Sequence, residues 1–467
     1  MSIKYAVTKA TDNHYVLPKM KNMRCDVHAY FSEHLYEISE ENMWLQAFNA
    51  AEHESVIGVY IMPDAHVGYG IPVGGVVVTE DVLIQSGPGY DLNCGVLCMK
   101  IPGLSAEDVA SWDKRDSFVR ETEKRIALGI GSNRPVYMPN FSSNEINDVL
   151  RYGAKAINVK SSVCERQYIN IPDNIDLLKI ERAYEKAALQ LGSVGGSNHF
   201  VELQVDEKDG SVWAMIHCGS RAFGWQIANY FFYEGAKVRG LPANKREESW
   251  LRIDEPLGKE YWAYHNAAAN YAIANRHVIV NGVQEALQKV FKAHGEVYYE
   301  ISHNIIQEET LVLPDGATKK GFVHRKGSTR AFPAGHPDLK GTAWEQSGHP
   351  VLIPGSMFLG GAILFPKDGA YNTACSVNHG SGRFVPRNKA KKMTHKQEFI
   401  DDQMKNTKRK LGGVEIRGIV GNYKKTPLDE SNYCYKDLDE VLDVLVAENI
   451  AAIERRLWPV ANLKGTD

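Results

Sequence analysis

Cysteine, histidine and aspartate side chains recur beside glycine-rich turns in this chain, and together they could bind a metal ion. Asp91 and Cys94 are three residues apart and follow a turn of glycine, proline and tyrosine. His199, His217 and His303 lie further along, each beside small or polar residues. A thiolate combined with imidazoles suits Zn, Mn, Fe or Co better than Mg, because thiolate is a poor ligand for Mg. Each residue alone also fits a structural role, as a turn aspartate, a buried cysteine or a satisfied histidine.

Another histidine, His379, has the surroundings of a nucleophile. It lies in the segment NHGSGR, residues 378–383. The flanking glycines would let a ligand approach the backbone closely and would leave the imidazole accessible. The segment therefore predicts an accessible imidazole beside a turn that a ligand can approach closely.

Three further segments contain tight turns, and the first two are typical of phosphate or anion sites. HCGSR, residues 217–221, is a strand end that runs into a turn of small residues and an arginine. HRKGSTR, residues 324–330, combines three cations and two hydroxyls around a glycine. PVLIPGSM, residues 350–357, is an apolar strand that ends in a tight turn. Backbone N–H groups and cations at such turns can bind a phosphate, although charged surface loops are also common.

Residues 383–410, which we call the basic segment, carry an unusual concentration of positive charge. The segment holds ten Lys or Arg against three acidic residues, a local net charge of +7, whereas the whole chain has a net charge of -3. Such an asymmetry fits a phosphate backbone. The alternative is a solvated helix face.

The amino-acid composition limits the classes of protein to which this chain can belong. The chain has 467 residues, of which 43% are hydrophobic and 24% charged, which is ordinary for a globular protein and excludes wholesale disorder. No apolar run approaches the roughly 20 residues of a membrane span, and the first 20 residues lack the apolar core of a signal peptide. Seven cysteines, an odd and sparse set, favour a reducing cytoplasm over a disulfide scaffold.

The elements that must position these residues do not alternate in a steady βαβ rhythm. The sequence predicts strands at 56–62, 73–79, 95–101, 200–205 and 212–217, with residues 198, 200 and 202 on one face and His199 on the other. It predicts helices at 105–128, opened by a capping box at 105–108, and at 174–191, 259–291 with a break near 281–282, 296–301 and 437–457. We therefore expect an irregular α+β fold, with antiparallel or mixed sheets flanked by helices, and a single domain over residues 1–467.

Nine segments, in this order, resemble the RtcB-type RNA-splicing ligases from about residue 60 to the C-terminus. They are MPDAH (62–66), GYDLNCG (89–95), SNHFVE (197–202), HCGSR (217–221), SHN (302–304), HRKGSTR (324–330), HGSGR (379–383), YKD (435–437) and LKG (463–465). Nine segments in register are far more specific than any one motif.

The resemblance implies an RtcB-like fold and a ligase that joins RNA ends. One end would carry a 2′,3′-cyclic phosphate or a 3′-phosphate and the other a 5′-hydroxyl, and the enzyme would use GTP and two Mn²⁺ ions. Cys94 would bridge both metals, with His217 and His303 completing one site and Asp91 and His199 the other. His379 would take GMP as a phosphoramidate.

The resemblance also assigns the binding residues. The guanylate would be held by Asn198, Glu202, Asn304, Pro354, Gly355, Ser356, Met357, Gly380, Ser381, Gly382, Tyr435 and Lys464. The cations expected to bind RNA are Arg325, Lys326, Arg330, Arg383, Arg387, Lys389, Lys391 and Lys392. The expected partners are the RNA ends, with an activating protein such as archease as a further candidate, and no membrane; the expected location is the cytoplasm.

The chain departs from the family pattern at several positions, so it is identified as a divergent member. Ser381 stands where alanine is usual, and Trp225 stands where a Gly-His-Gln version of the motif has histidine. Residues 358–361 read FLGG, where Gly-Thr-Ala-Ser is commoner. The proposed metal ligands and nucleophile are intact.

Two other functions stay open at this point. A binuclear metallophosphoesterase would need the same metal ligands but no histidine nucleophile, so His379 and the guanylate segments argue against it. An RNA-binding protein with a degenerate site would not need the full set of chemical residues, all of which are present.

Overall fold

The computed structural model of the chain describes residues 2–129, 135–157, 169–172, 174–313 and 315–465. The α-helices of these ranges are α1 (Glu33–Glu37), α2 (Glu41–Ala51), α3 (Trp112–Glu123), α4 (Ser143–Tyr152), α5 (Glu181–Gln190), α6 (Arg221–Val238), α7 (Pro256–Phe291), α8 (Arg387–Ala390), α9 (Gln397–Asn406) and α10 (Leu438–Ala447).

The strands of the same ranges are β1 (Thr8–Lys9), β2 (His14–Leu17), β3 (Val27–Tyr30), β4 (Val56–His66), β5 (Val73–Thr79), β6 (Val82–Ile84), β7 (Gly95–Ser105), β8 (Phe200–Asp206), β9 (Ser211–Cys218), β10 (Trp250–Arg252), β11 (Glu296–Ser302), β12 (Asn304–Val312), β13 (Thr318–Lys326), β14 (Ser328–Arg330), β15 (Val351–Pro354), β16 (Gly361–Pro366), β17 (Ser376–Asn378), β18 (Lys408–Leu411), β19 (Val414–Arg417), β20 (Val420–Gly421) and β21 (Ala451–Leu463).

Two large sheets form the frame of the fold. The first has the strand order β1-β2-β3-β4-β5-β13-β12 and is antiparallel except at the β3–β4 pair. The second has the order β11-β7-β9-β8-β21-β16-β15 and is antiparallel except where β20 pairs with β21. Helices α2 and α10 share a core with the first sheet, whereas α3 and α7 share one with the second. The predicted α+β class with mixed sheets and flanking helices is confirmed.

The predicted strands are present, but several predicted helices are wrong. Residues 296–301 form β11, and the predicted helix at 174–191 begins only at Glu181, because the preceding residues make a turn in which the Asp176 carboxylate accepts the Leu178 N–H. The pattern at 105–108 closes a turn at the end of β7, and α3 is capped by Ser111 instead.

The two remaining corrections concern the longest predicted helices. The predicted helix at 437–457 ends at Ala447, because Asn449 has a left-handed φ of 52° and the chain then enters β21. Helix α7 runs unbroken through residues 281–282. A Cβ at Gly282 would lie 2.7 Å from Ile126 Cγ2, so this glycine permits a close contact and does not interrupt the helix.

No helix within the described ranges is both long enough and apolar enough to cross a membrane. The six cysteines that these ranges contain are free thiols. That the whole chain forms one domain stays a prediction.

A buried arginine of α7 ties the ends of two central strands together. The guanidinium of Arg276 has no exposed side-chain surface, and it donates to the carbonyls of Asn93 (3.0 Å) and Cys218 (2.9 Å). Its charge is balanced by Glu300 of β11 at 2.5 Å, and His277 contacts the second Glu300 oxygen at 3.0 Å. Burial alone would raise the pKa of Glu300, but its two neighbours hold that pKa below the usual value.

We expect Arg276→Met to lower the free energy of unfolding by about 3–5 kcal/mol, because it leaves the buried Glu300 carboxylate without its main partner. Urea denaturation measures the change. Arg252→Met is the matched control: this arginine is 37% exposed and pairs with Glu54 and Asp81, so we expect a loss of about 1 kcal/mol or less. Equal losses in the two variants would contradict a special role for the buried pair.

Candidate active site

The register of the second sheet brings the candidate metal ligands to the same end of its central strands. In the β7–β9 pair Val96 lies opposite His217, and in the β8–β9 pair Phe200 lies opposite His217. Cys94 directly precedes β7 and His199 directly precedes β8, so both lie at the same end of these strands as His217. On the other side of β7 the N–H of His303 donates to the carbonyl of Cys94 at 2.8 Å.

The side chains converge there as a compact donor set. Cys94 Sγ lies 3.2 Å from His217 Nε2 and 3.3 Å from His199 Nε2, and all three residues are buried. His217 Nε2 lies 3.2 Å from His303 Nε2, and His199 Nε2 lies 2.9 Å from Asp91 Oδ2. The five predicted ligands thus form one chain of contacts around Cys94.

This donor set fits a divalent transition metal. His199 Nδ1 lies 3.0 Å from the Val194 carbonyl, which makes Nδ1 the donor and leaves Nε2 as a ligand atom. Burial lowers the pKa of His217 and of His303 well below the usual value, so both imidazoles are neutral, as metal ligation requires. Burial, with Asp91 nearby, raises the pKa of the Cys94 thiol. A bound cation would favour the thiolate.

The candidate nucleophile is held by a residue that the sequence analysis did not assign to the site. His379 follows β17, and its Nδ1 lies 2.7 Å from Oδ2 of the buried Asp64. The same carboxylate oxygen accepts the backbone N–H of His379 at 3.2 Å. With Nδ1–H donated to Asp64, His379 Nε2 carries the free lone pair. Its ring centre lies 4.8 Å from that of His303, so it stands beside the donor set.

Close packing fixes Asp64 and His379. Gly382 has a φ of 74°, and a Cβ there would clash with the carbonyl of Asp64, so this position of the turn requires glycine. Lys436, which is buried, donates to the carbonyls of Pro63 and Ala65 on either side of Asp64. Burial lowers the pKa of Lys436 to about 8. These contacts hold the carboxylate against the imidazole.

A cavity of about 450 Å³ joins the donor set, His379 and the predicted guanylate residues. All twelve of those residues line it: Asn198, Glu202, Asn304, Pro354, Gly355, Ser356, Met357, Gly380, Ser381, Gly382, Tyr435 and Lys464. Asn198 and Glu202 face the cavity and His199 turns to Cys94, as the predicted alternation requires. The Ser381 hydroxyl is buried and has no hydrogen-bond partner among the described residues.

Two carboxylates organise the polar wall of this cavity. Glu430, which the sequence analysis missed, accepts from Tyr435 Oη (2.6 Å), Lys464 Nζ (3.1 Å) and Arg387 (3.0 Å). Glu202 accepts from the side chains of Asn462 (2.6 Å) and Gln204 (2.7 Å), neither of which had been assigned a role. Burial raises the pKa of Glu202 to about 7.

The cations predicted to bind RNA divide into three groups. Lys326, Arg383 and Arg387 line the cavity. Lys389, Lys391 and Lys392 are exposed on α8 and the turn after it. Burial lowers the pKa of Lys326 to about 7.

The assignment of the third group, Arg325 and Arg330, needs correction. Arg325 has no exposed side-chain surface, and its guanidinium forms two hydrogen bonds with the Glu309 carboxylate (2.6 and 2.9 Å). Arg330 is buried and lies over the ring of Phe332. Neither side chain lines the cavity, so neither can contact RNA there.

Comparison with known proteins identifies the family. A family model described as tRNA-splicing ligase RtcB matches residues 46–465. The tRNA-splicing ligase RtcB of Thermococcus kodakarensis is 32% identical over 96% of this chain and 97% of its own length, and that of Archaeoglobus fulgidus is 33% identical over the full length of both. The RNA-splicing ligase RtcB homolog 1 of Entamoeba dispar is 30% identical over 90% of this chain and 81% of its own. The chain belongs to the RtcB family of tRNA-splicing ligases.

Proposed function

We propose that this RNA ligase joins an RNA end with a 2′,3′-cyclic phosphate or 3′-phosphate to an end with a 5′-hydroxyl, using GTP and two Mn²⁺ ions. The observation that carries the proposal is the His379 imidazole. Its Nδ1 is hydrogen-bonded to Asp64, and its Nε2 has no hydrogen-bond partner among the described residues. The ring lies beside the thiol–imidazole donor set. A metallophosphoesterase needs no histidine nucleophile, so it would not require the imidazole that Asp64 orients.

The first step is activation of GTP by His379. Nε2 attacks the α-phosphorus, an N–P bond forms, and the bond from that phosphorus to the β-phosphate oxygen breaks, so that pyrophosphate leaves. The attacking ring gains positive charge, which the Asp64 carboxylate at 2.7 Å stabilises through Nδ1–H. Asp64 therefore orients the imidazole and supports the charge that develops on it.

The two later steps transfer GMP and seal the RNA. A 3′-phosphate oxygen attacks the phosphorus on His379, the N–P bond breaks, and an RNA–phosphate–GMP anhydride forms. The 5′-hydroxyl then attacks the 3′-phosphorus, loses its proton, and releases GMP. A 2′,3′-cyclic end must first be opened by water, because the anhydride needs a terminal phosphate oxygen.

Asp91, Cys94, His199, His217 and His303 would hold the two Mn²⁺ ions, and the neutral imidazoles of His217 and His303 and the buried thiol of Cys94 fit this role. When bound, the ions would neutralise charge on the triphosphate and polarise its phosphorus centres. Cys94 contacts both His199 and His217, which supports its role as the shared ligand.

Guanine selectivity is assigned to Glu202. Each of its carboxylate oxygens already accepts one hydrogen bond and retains a lone pair that can accept another. The N–H donors of the guanine edge suit these acceptors, whereas the corresponding edge of adenine differs. The unpartnered Ser381 hydroxyl in the same cavity adds a donor that alanine would lack.

The exposed lysines of the basic segment are proposed to bind the RNA backbone. The proposed partners are RNA with the ends named above and an activating protein such as archease. The free thiols of the described cysteines support a cytoplasmic location, where thiols stay reduced.

The nucleophile is tested by intact mass after incubation with GTP and MnCl₂. We expect the unaltered protein to gain one GMP in an acid-labile, base-stable bond, and His379→Ala to gain none and to ligate no RNA. Asp64→Asn should slow guanylylation by about 10²–10⁴-fold, since the imidazole loses its orienting acceptor. His395→Ala, an exposed histidine, is the control. A His379→Ala protein that still gains GMP would contradict the assignment.

The metal centre is tested by titration with MnCl₂ in a calorimeter. Cys94→Ala should lose Mn²⁺ binding and ligation while the fold stays intact, because it removes the ligand shared by both proposed sites. Cys98→Ala is the matched control, since Cys98 is a buried cysteine of β7, the strand that follows Cys94, and is not a member of the donor set. Two ions bound to Cys94→Ala would refute the shared ligand.

RNA binding by the basic segment is tested with the triple variant Lys389→Glu, Lys391→Glu and Lys392→Glu. We expect weaker RNA binding. The slope of the logarithm of the RNA association constant against the logarithm of the salt concentration should decrease in magnitude by about 2, because about 0.7 counterion is released per single-strand phosphate contact. Reversal of Lys9, Lys19 and Lys367, exposed lysines outside the segment, should change the slope little. Equal slopes for the two triple variants would show that the segment is only a solvated face.

A further inference from the structure

We propose that Tyr69, Tyr90 and Trp225 form an aromatic platform on which an unpaired base of the RNA stacks beside the ligation site. The proposal rests on the proposed function, because it names how this surface binds the RNA that the neighbouring cavity would join. The three rings belong neither to the twelve residues proposed to bind the guanylate nor to the basic segment, so they have no role in the proposed function so far.

The three rings form a continuous surface at the cavity mouth. Tyr69 and Tyr90 line the cavity, and their rings meet edge to face at a centroid distance of 6.1 Å. The rings of Tyr90 and Trp225 are nearly parallel, 6.0 Å apart and 23° from coplanar. Tyr69 is 66% exposed and Trp225 is 46% exposed. Aromatic rings with this much open surface beside a catalytic cavity mark a binding site.

Helix α6 and the turn before Asp91 position Tyr90 and Trp225. Trp225 and Phe232 are seven residues apart, so they lie on the same face of α6. Tyr90 packs against both, with its ring 5.1 Å from that of the buried Phe232. The residue after Tyr90 is the candidate metal ligand Asp91. The platform therefore adjoins the donor set directly.

The loop that carries Tyr69 is held on both sides. The side-chain amide of Gln46 bonds the N–H (3.0 Å) and the carbonyl (2.7 Å) of Gly68. Gly70 has a φ of 70°, and a Cβ there would clash with Ser86. Lys326 donates to the Tyr69 carbonyl. Tyr69 is thus presented on a fixed support, which lowers the entropy cost of stacking a ligand on it.

Charge around the platform favours a nucleic acid as its occupant. Lys326 Nζ lies 5.9 Å from the centre of the Tyr69 ring. Arg246 donates to Tyr90 Oη at 3.5 Å, and Glu247 accepts from the same hydroxyl at 2.7 Å. Basic side chains interleaved with open aromatic rings are the usual combination at sites for single-stranded nucleic acid. A protein partner would not explain the continuity of the rings with the cavity.

Trp225 offers the largest π face of the platform, because an indole is larger than a phenol ring. Base–aromatic stacking contributes about 1–3 kcal/mol per base, which corresponds to roughly 5- to 150-fold in affinity. This stacking tolerates any base, so it strengthens binding of an RNA end without selecting its sequence.

The test measures binding of a single-stranded oligoribonucleotide of about ten nucleotides with a 5′-hydroxyl, in which 2-aminopurine or an abasic residue occupies the 5′-terminal position. GTP is absent. We expect Trp225→Ala to bind the 2-aminopurine RNA about 5- to 150-fold more weakly than the unaltered protein, and to lose its fluorescence quenching. Trp225→Phe should retain most of the affinity. Trp112→Ala, which removes an exposed tryptophan outside the cavity, should bind like the unaltered protein.

The abasic RNA separates stacking from a general loss of binding. Trp225→Ala and the unaltered protein should bind it equally, because no base is present to stack. An equal loss on both RNAs, or unchanged binding of the 2-aminopurine RNA, would overturn the proposal. Unchanged RNA binding with a shifted monomer–dimer equilibrium in sedimentation would assign the platform to a second copy of this chain. Failure of the proposed function would appear separately, as an unaltered protein that gains no GMP.

Discussion

The buried ion pair between Arg276 and Glu300 is the contact on which the active-site geometry depends most. The guanidinium bonds the carbonyls of Asn93 and Cys218, and these residues are the immediate neighbours of Cys94 and His217. Helix α7, β7, β9 and β11 therefore meet at one charged group with no solvent exposure. In such surroundings a hydrogen bond is strong and a missing partner is costly, so the strand ends have one arrangement. The neighbouring side chains of Cys94 and His217 are therefore held in fixed positions as well.

The chemistry is divided between two parts of the fold that meet at the cavity. The second sheet and its flanking turns provide the candidate metal ligands, whereas β4 and the turn after β17 provide Asp64 and His379. Glycine allows the two parts to approach, since a Cβ at Gly327 would lie 3.0 Å from His379 Cε1. The candidate nucleophile is thus held next to the candidate metal ligands, and the residues proposed to bind the guanylate complete the remaining wall of the cavity.

The sequence predicted the strands that carry the ligands because their apolar runs are short, rich in β-branched residues and bounded by glycine. The prediction of helices from the sequence failed where the local residue pattern favours a helix but long-range strand pairing determines the structure. Residues 451–457 continue an apolar helical pattern, but the left-handed Asn449 ends α10 and the chain pairs with β8 and β16 instead. Residues 296–301 are a short mixed run that periodicity alone cannot assign.

The site residues proposed from the sequence lie within recognisable segments, whereas the residues that the sequence missed make contacts between distant parts of the chain. Asp64 lies in such a segment, yet its role depends on a contact with a histidine 315 positions away. Glu430 has no motif to mark it. Arg325 was misassigned because a run of cations resembles a phosphate loop. Its position in β13 explains the error, since successive side chains of a strand alternate: Lys326 reaches the cavity while Arg325 turns to Glu309.

We propose that a metal centre shared through Cys94 and a histidine nucleophile act together on GTP. Diffraction from crystals grown with MnCl₂ and GTP, recorded at the manganese absorption edge, tests both parts of this mechanism. We expect two anomalous peaks that share the Cys94 sulfur, and continuous density from His379 Nε2 to the phosphorus of GMP. Peaks remote from Cys94, or GMP attached to another side chain such as Lys464, would contradict it.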